Sequence, residues 1–338
     1  MKKIFYSLLA VAAITACSKS GIEYDNDKVA ISFAPVARLN TKAAVTTTDY
    51  PDALNMYVFA NAGEATDALP AGYDEPYLAN AEFSHDGHAN NVFGGVTPYY
   101  WPNVKKLIFS GYSKSGNVES LAPTYEYDAE AGTWVIDMEG YVPSAGTAVL
   151  GDNDLMWFPT TEEAYSKPTV ANYTVDVEMK HACSWVTINI KGDTTTGAEG
   201  TTWNILDLTI NDLAQSGNVV LGETANWTPS ATTAPFEVFN GEKQLTTGYV
   251  DYTKLSYTDL ILVPQETKEL TITYEFVSQT GLDPIEEVKT IDLTYTNDEG
   301  WEPGVHYTYN ITIGTQEILI EPTVKDWDNV IAPDVVLQ

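Results

Sequence analysis

The feature that most restricts the fold is a succession of short runs in which apolar and polar residues alternate, with no stretch of helical period beside them. In the first half such runs occupy 29–33, 54–60, 77–84, 106–112, 124–127, 133–138 and 147–150. Alternation with period two places apolar side chains on one face of an extended strand, so each run predicts a half-buried strand. Turn-forming residues separate them: Asp86-Gly87, Gly94-Gly95, Gly116-Asn117 and Ala131-Gly132. In the second half the runs 173–179, 183–190, 203–210, 219–221, 270–277, 288–295 and 307–313 repeat the pattern. The continuously apolar 260–263 suits a strand buried on both faces, and 318–320 with 324–327 closes the series. Only 162–166 reads as a helical turn. Many short strands without a βαβ rhythm predict an all-β chain of antiparallel sandwiches.

The polar, irregular stretch 159–172 is the candidate connection between two such units. It places an N-terminal β-sandwich at 29–165 and a C-terminal one at 173–338. Units of about 150 residues are of ordinary domain size.

The amino terminus has a separate logic. Met1-Lys2-Lys3 is positive, residues 4–13 are apolar, and Ala16-Cys17 supplies a small residue before a cysteine. A charged start, an apolar middle and a small-residue cut site make a secretory signal. The apolar run is too short for a membrane span, which needs about 20 residues. The stretch resembles a lipoprotein signal, which implies cleavage between Ala16 and Cys17, acylation of the Cys17 thiol and a polar tether over 17–28. The plainer alternative is a secretory signal with a chance cysteine there.

Charge then excludes partners. The chain carries 17 basic and 47 acidic side chains, a formal charge of −30, and loss of Lys2 and Lys3 makes the remainder −32. Such a surface repels nucleic acid and anionic lipid headgroups, so no nucleic-acid partner is expected and lipid becomes the plausible tether. With Cys17 acylated, Cys183 is the only thiol left. An internal disulfide is then excluded, and its place in an alternating run predicts a buried, inert side chain.

Chemistry-bearing constellations are weak. His85 and His88 flank Asp86-Gly87 with no third ligand in place, and read as a solvated loop. His181 and His306 stand beside strand starts and read as packed or capping groups. Asp152-Asn153-Asp154 and Asn297-Asp298-Glu299-Gly300 resemble calcium loops only superficially, lacking the alternating oxygens that end in glutamate. No nucleophile elbow, phosphate loop or dinucleotide fingerprint occurs. No metal, no cofactor and no catalysis are therefore expected. Trp134, Trp185 and Trp203 lie in alternating runs and read as core or sheet-face packing, which leaves Tyr99-Tyr100-Trp101 as the best exposed aromatic row.

The order of several motifs resembles the fimbrillin families of the Bacteroidetes, pilin-like lipoproteins of type V fimbriae. The motifs are Ile31-Ser32-Phe33 after the signal, Trp101-Pro102 ahead of Leu107-Ile108-Phe109-Ser110-Gly111-Tyr112, and Met179-Lys180-His181-Ala182 before Trp185-Val186-Thr187-Ile188. Trp301-Glu302-Pro303-Gly304, Tyr307-Thr308-Tyr309 and Asp326-Trp327 complete the order. The resemblance implies two tandem transthyretin-like sandwiches, exported to the outer membrane and polymerised at the cell surface as a structural and adhesive subunit. It also implies that a trypsin-like protease cuts beyond the first strand and that a strand from another fimbrial subunit fills the vacated groove. The matching position is Arg38-Leu39, and Arg38 is the only arginine in the chain, so one cut would spare the body. Lys42 is a fallback, and an exposed basic residue without processing is the alternative. The apolar segments 318–320 and 335–337 could each serve as donor, and stalk, tip and anchor positions are all compatible with these residues. A ligand on a host or bacterial surface would be the further partner of an adhesive subunit. The rival reading is a non-polymerising, glycan-binding surface lipoprotein.

Overall fold

The computed structural model describes residues 28–36, 54–67, 69, 72–85, 92–115, 123–143, 154–170, 173–192, 201–257, 260–278, 283–293, 300–314 and 318–326. The strands of the first half are β1 (Ser32–Val36), β2 (Leu54–Glu64), β3 (Glu75–His85), β4 (Phe93–Gly95), β5 (Lys105–Ser115), β6 (Thr124–Asp128), β7 (Thr133–Tyr141) and β8 (Met156–Phe158). There follow β9 (Val175–Glu178), β10 (Lys180–His181), β11 (Ser184–Gly192), β12 (Thr201–Leu213), β13 (Gly217–Leu221), β14 (Ala225–Pro229), β15 (Ala234–Gln244) and β16 (Val250–Asp251). A single helical turn, α1 (Thr253–Ser256), precedes β17 (Leu260–Leu262), β18 (Glu269–Ser278), β19 (Ile285–Asp292), β20 (Val305–Ile313) and β21 (Ile318–Asp326). The helical turn expected at 162–166 does not form. Tyr165 instead makes a two-way backbone pair with Leu107, at 2.9 and 2.8 Å, and extends the sheet margin.

The first sheet has eight strands in the order β10-β8-β5-β2-β3-β4-β1-β9. Its two ends, β9 and β10, are separated in the chain by Met179 alone. The sheet therefore curls until its ends meet. One apolar core fills the interior, drawing Phe33, Val58, Phe83, Phe93, Phe109, Phe158, Val177 and Met179 from seven strands and the 179 junction. Opposite parity points Phe59, Tyr112 and Trp157 outward. Against them lies a four-stranded sheet, β14-β13-β7-β6, with Ile136, Met138, Val219 and Leu221 facing in. The remaining strands make a sandwich of β16-β11-β20-β21, joined by β17, over β15-β12-β18-β19. Its core contains Val186, Ile188, Ile205, Leu208, Ile272, Tyr309 and Ile311.

This arrangement modifies two expectations in detail. Antiparallel pairing dominates, but β1 runs parallel to β9 and β11 parallel to β20. Strand pairing also crosses the stretch expected to connect two units: β9 and β10 complete the first sheet, and the β13–β14 hairpin pairs through β13 with β7. The periodicity of single strands carries no information about which distant strand becomes a neighbour.

One glycine in a strand has a clear cause. Gly111 sits on β5 opposite Phe158 of β8, and a Cβ there would come within 2.6 Å of both the Phe158 ring and the carbonyl oxygen of Tyr57. The aromatic ring lies directly on backbone, and the Tyr57 carbonyl belongs to the central strand β2 and cannot yield. Gly111→Ala is expected to cost about 3 kcal/mol, at the upper end of overpacking penalties. Thermal unfolding followed by circular dichroism should place its midpoint about 4 °C lower, from an unfolding entropy of about 2.1 cal/mol/K per residue over a chain of this length.

Candidate assembly interface

β1 is a short strand with two neighbours. Ser32 and Phe33 pair antiparallel with Gly94 and Phe93, while Phe33 to Val36 run parallel beside Val175 to Glu178. Just ahead of it, Ile31 donates its N–H to Tyr99 O at 2.8 Å and Val29 O accepts from Trp101 N at 3.0 Å. The Ser32 hydroxyl donates to Tyr173 O at 3.0 Å. Phe33 is fully buried, with ring centroids of Phe83 and Phe109 at 4.9 and 5.1 Å edge-on and Phe158 at 6.4 Å. Ile31 is buried two residues earlier, as alternation requires. The segment thus combines few ladder pairs with a deep aromatic anchor, and it sits within the sheet instead of at its rim. The residues read as processing and lipid sites, Ala16, Cys17, Arg38 and Leu39, lie outside the described residues.

At the far end of the chain β21 pairs with β20 over nine residues, and no strand among the described residues pairs with its other side. None of its described side chains is fully buried, and Leu319 is 52% exposed. Pro322 sits opposite Tyr309, a placement that suits an edge strand because proline has no N–H to donate. The other donor segment, 335–337, lies outside the described residues.

His181 and His306 are engaged in packing and hydrogen bonding. His181 Nδ1 lies 2.6 Å from Asp154 Oδ2, a pair set where β10 meets the lead-in to β8. The His306 ring stacks on Trp185 with centroids 3.6 Å apart, and its Nε2 is 2.9 Å from the Thr187 hydroxyl. His85 ends β3, while His88 and the calcium-loop candidates Asp152, Asn153, Asn297, Asp298 and Glu299 lie outside the described residues. Among the described residues no three His, Cys, Asp or Glu side chains converge as metal ligands would. Cys183 is buried, and burial pushes its thiol well above the ordinary range, as does the nearby Asp154 charge. No helix among the described residues is long and apolar enough to cross a membrane.

A profile described as fimbrillin-like matches residues 41–327, most of the chain. The chain belongs to the fimbrillin-like family. Solved structures share the fold: a fimbrial protein from Bacteroides vulgatus is 14% identical with a TM-score of 0.63, covering 88% of this chain and 99% of that one. A candidate cell-adhesion protein from Bacteroides uniformis is 18% identical with a TM-score of 0.52, covering 89% and 99%. Another from Parabacteroides distasonis is 12% identical with a TM-score of 0.51, covering 90% and 99%. No curated protein matches the chain.

In this fimbrillin-like chain the aromatic row expected at the surface is largely structural. Trp101 is buried against Phe109 and Tyr173, and Tyr100 accepts a hydrogen bond from the Tyr77 hydroxyl at its carbonyl. Trp134 and Trp203 are core residues, whereas Trp185 is half-buried on the outer face of β11. The aromatic side chain that lines a cleft is Trp227, on β14. The run Asn226-Trp227-Thr228-Pro229 alternates too briefly to single it out in the sequence.

Proposed function

We propose that this protein is a subunit of a cell-surface fimbria, tethered to the outer membrane through acyl chains on Cys17 until a protease cuts between Arg38 and Leu39. The cut detaches β1, and a strand from another subunit takes its place. The observation that supports this reading most is the position of β1 between β4 and β9. A strand lost from a rim exposes one edge, but a strand lost from between two neighbours exposes two facing rows of N–H and C=O groups. An incoming strand satisfies both rows at once and refills the pocket that Phe33 leaves among Phe83, Phe109 and Phe158. The small number of pairs that β1 makes favours its exchange over that of the eleven-residue strands β2 and β5. β21 fits the donor role through an outer side that no strand among the described residues pairs with, and through its shallow burial.

Arg38→Ala tests this. Wild-type surface material treated with an arginine-specific protease is expected to begin at Leu39 and to form filaments in stained micrographs. The variant is expected to keep Cys17 as its amino terminus and to form none. Filaments built from wild-type protein that still begins at Cys17 would remove the processing step from the scheme.

A further inference from the structure

A cleft of about 540 Å³ opens between β14, on the four-stranded sheet, and two segments of the C-terminal sandwich, 264–268 and 301–303. Its walls are fixed before any ligand arrives. The Trp227 Nε1–H donates to Ala182 O at 2.6 Å, and the Tyr141 ring meets the indole edge-on at 6.0 Å. Gln265 is buried, donates to the carbonyls of Ala214 and Val263 at 3.0 Å, and accepts from Ala214 N–H at the same distance. Gln265 and Trp301 exchange backbone hydrogen bonds of 3.1 and 2.7 Å, and Trp301 Nε1–H donates to the Tyr309 hydroxyl at 2.8 Å. Gly300, at φ +71°, has no room for a Cβ against Gln265 O at 2.6 Å. Walls held in this way lose little entropy when a ligand binds.

The chemistry of the lining selects a ligand class. Trp227 offers a flat apolar surface, and Asn226, Glu266, Lys268 and Glu302 surround it with planar acceptors and one ammonium donor. Two carboxylates beside one lysine, on a chain of charge −30, disfavour an anion. Asn226, Glu266 and Glu302 are exposed and Lys268 half-buried, so a wholly apolar ligand would leave the hydrogen-bonding capacity of the lining unused. The ligand that satisfies both parts has an apolar face and hydroxyls around its rim. We propose that this cleft binds a neutral saccharide, with one sugar ring on the indole of Trp227 and its hydroxyls bonded to Lys268 and Glu302. Clefts between packed units, with a few convergent polar groups, are where small ligands bind most often, and the volume leaves room for a short saccharide.

The test uses the whole purified chain against an array of neutral and anionic oligosaccharides, with hits measured by saturation-transfer NMR. At least one neutral saccharide is expected to bind, and Trp227→Ala is expected to weaken it at least tenfold. Because Trp227 also anchors β14, Lys268→Ala is measured beside it. That side chain lies on the rim, and its loss should weaken binding at least tenfold while leaving the unfolding temperature unchanged. Absence of neutral-saccharide binding at millimolar concentration, binding of anionic saccharides alone, or binding that survives Lys268→Ala in the folded protein would each overturn the proposal. The cleft shares no residue with β1 or with Arg38-Leu39, so sugar binding and fibre assembly succeed or fail separately.

Discussion

Replacing Phe33 with alanine is expected to destabilise the first sheet by about 3–5 kcal/mol, the usual cost of removing a buried phenylalanine ring. The reason for the upper part of the range is local. Phe83 and Phe109 present their rings edge-on to Phe33, Phe158 closes the third side, and all four side chains are within 2% of full burial. Rings belonging to β3, β5 and β8 are held by strand pairing and cannot converge to fill the void. Aromatic edge contacts add about 0.5–1.5 kcal/mol each beyond area burial, and the variant loses two of them. Urea unfolding should show the midpoint falling with an unchanged slope, the signature of lost stability without altered compactness. A loss below about 1 kcal/mol would mean that the pocket closes on itself, and it could then not serve as the socket for an incoming strand. Phe33→Leu, which refills most of the volume without a ring, is expected to recover part of the loss.

How much of this was legible beforehand depended on which force shaped each element. β11, β18 and β20 were visible because each buries mainly one face and period two writes that burial into the sequence, whereas β2 and β5, buried on both faces, were visible as short apolar-rich runs. β15 was not, since only Phe236 and Val238 along it are buried, so selection left no alternation to see. The segments 318–320 and 324–327 read as two runs because Pro322 interrupts them, yet an edge strand absorbs proline and β21 continues through it. Neither the parallel contact of β1 with β9 nor the antiparallel contact of β13 with β7 could be inferred from period, because pairing between distant strands is decided by core shape and chain closure. At the site the imbalance is similar. β1 was readable from the alternation of 29–33, but the wall of the cleft was not, because Trp227 comes to line it only when β14 packs beside 264–268.

Raising the pH above 10 is expected to unfold the protein within about two pH units, and the cause lies in its tyrosines. A phenol in water loses its proton near pH 10. Burial, together with the hydrogen bond to Glu287, holds Tyr274 up to about 12. Burial pushes Tyr112, Tyr252 and Tyr309 higher still, and Tyr141 is raised by burial first and by the Cys183 and Asp154 charges after it. Between the unfolded and folded values the native chain keeps protons that the unfolded chain has released, so stability falls as pH rises through that window and is fully present below it. Each such phenol removes about 1.4 kcal/mol for every pH unit. Five acting together remove about 7 kcal/mol per unit, against a typical total of about 5–15 kcal/mol. The buried set should ionise in one cooperative step, with tyrosinate absorbance rising as the far-ultraviolet β-sheet signal is lost. A gradual titration of all 21 tyrosines with that signal preserved would show that water reaches the three cores without unfolding, contrary to the packing described above.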